Sequence, residues 1–128
     1  MSKWKTIGVW VLQLLLAFLF FNVGRMKIWD GHWQGIFRGW GYPENLYLAV
    51  GWWEMLGGLA LLWPKTAGLG AMALIAVMLG ADGHHAWRGE WRSFFLPVLL
   101  FIALLSIIAW LRWPQFLKTG STQAPPLA

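Results

Sequence analysis

The chain has 128 residues, a formal charge of +5, 59% hydrophobic and only 12% charged residues, and a mean hydropathy of +0.55; a soluble domain carries about 25% charged residues, so a bilayer is the expected solvent. The Lys and Arg are scattered between apolar blocks without the basic stripe that a phosphate backbone needs, which argues against a nucleic-acid partner and for contact with anionic lipid headgroups. Cysteine is absent, which excludes disulfides, thiolate metal sites and thiol catalysis by this chain.

The first predicted span covers residues 7–24, an apolar run interrupted by Gly8, Gln13 and Asn22. Lys3 and Lys5 before it resemble the start of a signal peptide, but the run is long and Phe20-Phe21-Asn22-Val23-Gly24 lacks the small residues of a cleavage site. A retained helix is expected. A long connection rich in Gly and Trp follows, from Arg25 to Asn45, and connections of that length are often functional. The second span is residues 46–63. Pro64-Lys65-Thr66 predicts a tight turn into the third, residues 67–86, and so an antiparallel pair. A charged connection, Trp87 to Ser93, leads to the fourth span, residues 94–111. Each span is near the roughly 17–25 residues needed to cross a bilayer as a helix, and too long and continuous for a barrel strand. Trp63-Pro64 and Trp113-Pro114 read as an interface anchor followed by a helix stop.

The expected fold is therefore all-α, an integral membrane four-helix bundle with a long Trp-rich first loop. It forms a single domain over residues 1–118, with a polar, disordered tail at 119–128. The positive-inside rule nearly ties, with Lys3, Lys5, Lys65, Arg112 and Lys118 on one side and Arg25, Lys27, Arg38, Arg88 and Arg92 on the other. The lysines ahead of the first span favour both termini in the cytoplasm.

Glu54 lies deep in the second span, roughly 12 Å from its start at about 1.5 Å per residue. An acid at that depth is a functional-site hypothesis by default. Tyr47, Gly51, Glu54, Gly58 and Leu61 recur at helical spacing, and glycines on such a stripe let a neighbouring backbone come close. Glu54 is thus expected inside the bundle, paired with Lys27 or Arg25, or neutral. Ala73, Ala76, Gly80 and Gly83 suggest a second close-packing face on the third span. The ends of the first and third spans add Asn22, Arg25, Lys27, Asp82, His84 and His85 at the same membrane level. Arg25, Lys27, Glu54, Asp82, His84 and His85 form the candidate ligand-binding set, with Glu54 as the candidate acid/base and the Trp-rich loop as a cap. Snorkelling cations and interface histidines are the plainer reading of the same residues. Adjacent His84 and His85 do not suit one haem iron, His32 with His85 is a weak alternative, and Glu54, Asp82 and His85 make a weak hard-metal set; no metal is expected.

Three segments together resemble the DoxX-like family of small four-helix membrane proteins. They are Asn22-Val-Gly-Arg-Met-Lys-Ile28, Trp53-Glu-Met-Leu-Gly-Gly-Leu59 after Pro43, and Met78-Leu-Gly-Ala-Asp-Gly-His-His85. The resemblance runs from about Ile7 to Leu111 and marks Lys27, Glu54, Gly57, Gly58 and His84 or His85. It implies a bacterial inner-membrane protein in a family named from a membrane subunit of thiosulfate:quinone oxidoreductase. Some relatives partner redox enzymes, and distant ones act as chaperones or cargo receptors, so fold alone does not fix the function. The expectation is a subunit of a quinone-linked redox system. A quinone headgroup would sit among Lys27, Glu54, Asp82 and His85, with Trp52 and Trp53 as candidate ring partners. Electrons would come from a partner subunit, and a homo-oligomer is also compatible. The alternative is a non-enzymatic anchor, assembly or chaperone-like subunit that docks a partner protein through its Trp-rich outer face.

Overall fold

The computed structural model describes residues 2–43, 45–90 and 95–120. Within these residues five helices follow in order: α1 Lys3–Trp29, α2 Trp33–Gly39, α3 Leu46–Ala60, α4 Pro64–Trp87 and α5 Leu96–Gly120. The described residues are otherwise turns and coil, so the all-α expectation holds. Among the described residues, three helices are long and apolar enough to cross a membrane: α1, α4, and α5 as far as Pro114. The second expected span is shorter than the sequence suggests. α3 has 15 residues, about 22 Å at about 1.5 Å per residue. Leu61 and Leu62 turn out of the helix, and Trp63 caps α4 in an extended conformation.

Caps explain most boundaries. The Ser2 side chain accepts from the Lys5 backbone N–H at 3.3 Å and starts α1. Pro64 does not merely end a block. It occupies the first turn of α4, where its missing N–H costs nothing and its fixed φ suits the helix. Across that turn the Thr66 hydroxyl donates to the Ala60 carbonyl at 2.7 Å, satisfying one of the carbonyls orphaned at the end of α3. Pro114, expected as a stop, lies inside α5, which loses one i→i−4 bond there and continues.

The expected loop from Arg25 to Asn45 is not continuous coil. α1 runs on through Lys27 to Trp29, and α2 occupies the middle. α2 ends in a Schellman turn. Gly41 takes φ +88, its N–H bonds the Arg38 carbonyl at 3.0 Å, and the Tyr42 N–H bonds the Phe37 carbonyl at 3.1 Å. Phe37 and Tyr42 also meet ring to ring at 5.9 Å, the apolar contact that accompanies this motif. Trp91, Arg92, Ser93 and most of the polar tail lie outside the described residues.

α1 packs chiefly on α3, α3 on α4, and α4 on α5. The α1–α3 contact depends on glycine. A Cβ at Gly58 would stand 2.9 Å from the Phe21 nitrogen and 3.1 Å from the Ala17 oxygen, both backbone atoms. A Cβ at Gly51 would stand 2.9 Å from the Gly24 oxygen. Gly57, on another face of α3, meets Leu74 of α4. The close-packing face of α4 differs from expectation. It is Ala67, Gly68, Gly70 and Ala71 that are buried, whereas Gly80 and Gly83 have open space around them. α3 and α4 therefore touch closely at Gly57 and Gly70 and leave room near Gly80, and that room becomes a cavity.

Large apolar side chains cover the outside, among them Leu14, Leu15 and Phe18 on α1 and Leu96, Leu100 and Ile107 on α5. So much exposed apolar surface fits a lipid environment. At the end of the molecule that holds the N-terminus, a buried polar link ties three helices. Gln13 of α1 donates to the Leu61 carbonyl at 2.8 Å, and Arg112 Nε of α5 donates to Gln13 Oε1 at 2.6 Å. Arg112 also lies over the Trp10 ring, 5.3 Å from its centroid. It is only 4% exposed and should not be counted as a loop charge. Removing it and the partly buried Lys27 from the expected tally takes one cation from each expected side, so the charge tie persists.

Candidate functional site

Glu54 is 1% exposed and its Oε1 accepts from Lys27 Nζ at 2.5 Å. The partner is Lys27, not Arg25. Gly24 and Ile28 face Gly51 of α3, and Lys27 and Arg25 flank that face of α1 on opposite sides, each about 80° from its centre. Lys27 is on the flank that meets Glu54; Arg25, on the other, is exposed and donates to Asn22 Oδ1 at 3.3 Å. Lys27 is further held 5.3 Å from the centroid of the Trp33 ring.

The pair forms part of the wall of a cavity of about 580 Å³. α2 and the turn after it supply Trp33, Phe37, Trp40 and Tyr42; α3 supplies Leu46, Val50 and Glu54; α4 supplies Val77, Gly80, Ala81, His84 and His85, and Glu90 completes the rim. A second cavity of about 530 Å³ shares Trp40, Tyr42 and His84 and extends to Trp87 and Arg88. The ring walls are thus Trp33, Phe37, Trp40 and Tyr42. Trp52 and Trp53 are not among them. Trp52 meets Trp29 edge-on at 5.8 Å, and Trp53 Nε1 donates to the Ala73 carbonyl at 2.6 Å. His32 stacks near Trp33 at 5.5 Å and is not on the cavity wall.

Two Schellman turns deliver side chains that the sequence did not assign to the site. The turn after α2 places the Tyr42 hydroxyl 2.7 Å from His84 Nδ1. The turn after α4 repeats the pattern: Gly89 has φ +74, its N–H bonds the Ala86 carbonyl at 3.1 Å, and the Glu90 N–H bonds the His85 carbonyl at 2.9 Å. The chain folds back, and the Glu90 carboxylate meets His85 Nδ1 at 3.2 Å and Arg88 Nε at 3.2 Å. The hydrogen bond with His85, helped by the nearby Arg88 charge, holds the Glu90 carboxyl below its ordinary range. A glycine closing each helix was the available signal for both turns; which side chain each turn would present was not readable.

Three buried polar atoms on the cavity wall have no hydrogen-bond partner among the described residues: Trp33 Nε1, Glu54 Oε2 and His84 Nε2. Buried polar groups are nearly always satisfied, so each calls for an explanation. Asp82 does not join them. It is 6% exposed, its Oδ1 is also unpartnered, and it is absent from the cavity wall. Of the expected set, then, Lys27, Glu54, His84 and His85 share one cavity, whereas Arg25 and Asp82 do not line it.

The DoxX-like family model matches residues 11–108. No curated protein and no solved structure matches the chain significantly.

Proposed function

The chain belongs to the DoxX-like family, and we propose that it is a membrane subunit of a quinone-linked redox system whose cavity holds a quinone headgroup. The family match and the three apolar helices make it a membrane-embedded, multi-pass protein. In the proposed arrangement α3 is the fourth crossing segment of a four-helix bundle, and both termini face the cytoplasm of a bacterial inner membrane. The chain has no cysteine, so a single cysteine at Ser2 can be labelled from either side. A membrane-impermeant maleimide should reach it only from the cytoplasmic face.

The observation that carries the proposal is the set of unpartnered atoms on an aromatic wall. A quinone presents two carbonyl acceptors, which Lys27 Nζ and Trp33 Nε1 can serve as donors. A quinol presents two hydroxyl donors, which Glu54 Oε2 and His84 Nε2 can accept. Tyr42 sets the His84 tautomer. When its hydroxyl donates to Nδ1, Nε2 carries the proton; when it accepts, Nε2 presents a lone pair. The site can therefore serve either oxidation state of the ring. Lys27 would stabilise a developing oxyanion, and Glu54 would take or give the proton. Two electrons and two protons convert quinone to quinol, and the electrons come from the partner redox subunit.

The test is binding of a short-tailed quinone, decylubiquinone, to the purified chain in micelles. Glu54→Gln should weaken binding about tenfold or more, the loss of one charge-assisted hydrogen bond. Trp52→Leu, remote from the cavity wall, should leave it unchanged. Equal affinity for wild type and Glu54→Gln would remove Glu54 from the ligand.

A further inference from the structure

His84, His85 and Glu90 each offer one ligand atom, and these atoms lie within 4.8 Å of one another. We infer that they form a binding site for a divalent first-row transition ion at the cavity rim. Two imidazoles and one carboxylate suit zinc-like ions, and a site with three protein ligands keeps a fourth position open. Ligands on a tetrahedral ion at about 2.0–2.1 Å stand roughly 3.4 Å apart. His85 Nδ1 and Glu90 Oε1, at 3.2 Å, already have that spacing.

His84 is prepared for the same role. Tyr42 engages its Nδ1 at 2.7 Å, while Nε2 is buried without a partner among the described residues. With the hydroxyl accepting from Nδ1–H, the Nε2 lone pair is free, and metal-bound histidines commonly have their other nitrogen held in this way. The two rings meet edge to face at 5.1 Å, so adjacent residues on one helix converge despite a helical offset of about 100°. Helical spacing alone does not predict the site, because its third ligand arrives only through the reversal at Gly89. Arg88, 3.2 Å from Glu90 Oε1, is the competing cation.

The site does not use the Lys27–Glu54 pair but shares His84 with the proposed quinone site, so its test is made in the absence of quinone. The experiment is titration of the chain, purified without a polyhistidine tag and without added quinone, with Co²⁺. The readouts are the visible ligand-field absorption and the equilibrium stoichiometry. One Co²⁺ per chain is expected, with Glu90→Gln and Tyr42→Phe each weakening binding about tenfold. Arg88→Ala should tighten it by removing the competitor. Gly89→Val, which strains the positive φ and displaces Glu90, should weaken it while circular dichroism still reports folded helices. Absence of saturable Co²⁺ binding, or binding unchanged by Glu90→Gln, overturns the site. Loss of quinone binding in Glu54→Gln alongside unchanged Co²⁺ binding would show that the metal site stands even where the quinone site fails.

Discussion

Lys27→Met is expected to destabilise the folded protein by about 3–5 kcal/mol, the usual consequence of removing one partner of a buried ion pair. Most of that loss lies in what remains. Glu54 is 1% exposed, and its second oxygen already lacks a partner among the described residues. The double variant Lys27→Met/Glu54→Leu removes both charges and should return to within about 1 kcal/mol of wild type, because neutral packing replaces a buried pair at little cost. Unfolding in mixed micelles followed by tryptophan fluorescence gives the three stabilities. A double variant as unstable as the single one would mean that the pair does not explain the loss. The same double variant separates two roles of Glu54. It should be folded and unable to bind quinone, whereas a pair that only locks helices would leave binding intact.

The second large effect is expected at the opposite end of the molecule. Gln13→Leu should cost about 3 kcal/mol or more, since the Arg112 guanidinium keeps its burial and loses its acceptor. Gln13 is fully buried and relays Arg112 to the Leu61 carbonyl at the C-terminus of α3. That carbonyl end carries the negative pole of the helix, so the relay places a cation where a helix end favours one. Arg112→Met should cost less than Gln13→Leu, because it removes the charge instead of stranding it. Thermal unfolding in one detergent ranks the two. The reverse order would mean that Arg112 is stabilised by contacts other than Gln13.

The difference between these two sites shows what the sequence could convey. Glu54 was readable because Gly51 and Gly58 flank it at helical spacing and an acid deep in an apolar run has few bland explanations. The identity of its partner was readable only as a choice, Lys27 or Arg25, because the two flank the Gly24–Ile28 contact face symmetrically at about 80°; the side on which α3 places Glu54 decides it. Arg112 precedes Trp113-Pro114 and so reads as an interface charge. Its burial follows from a hydrogen bond to a residue 99 positions away, and nothing local encodes that. α2 was missed because Trp33-Gln-Gly-Ile-Phe-Arg-Gly39 is short, holds two glycines and shows no clean apolar stripe. Asp82 was expected at the cavity from its level along the membrane, but level does not fix the direction in which a side chain leaves a helix. Tyr42 and Glu90 enter through turns after α2 and α4, where the glycine is visible in the sequence and the side chain it presents is not.

The most direct test of the proposed function is native mass spectrometry of the chain, gently extracted from its own membranes. The arrangement of Lys27, Trp33, Glu54 and His84 predicts an adduct with the mass of a quinone, present on wild type and absent from folded Lys27→Met/Glu54→Leu. A wild-type chain that flies bare, or that carries only a partner without redox cofactors, would contradict the quinone reading. The exposed tryptophans, Trp29, Trp52 and Trp87, would then become the surface to mutate for a docking role.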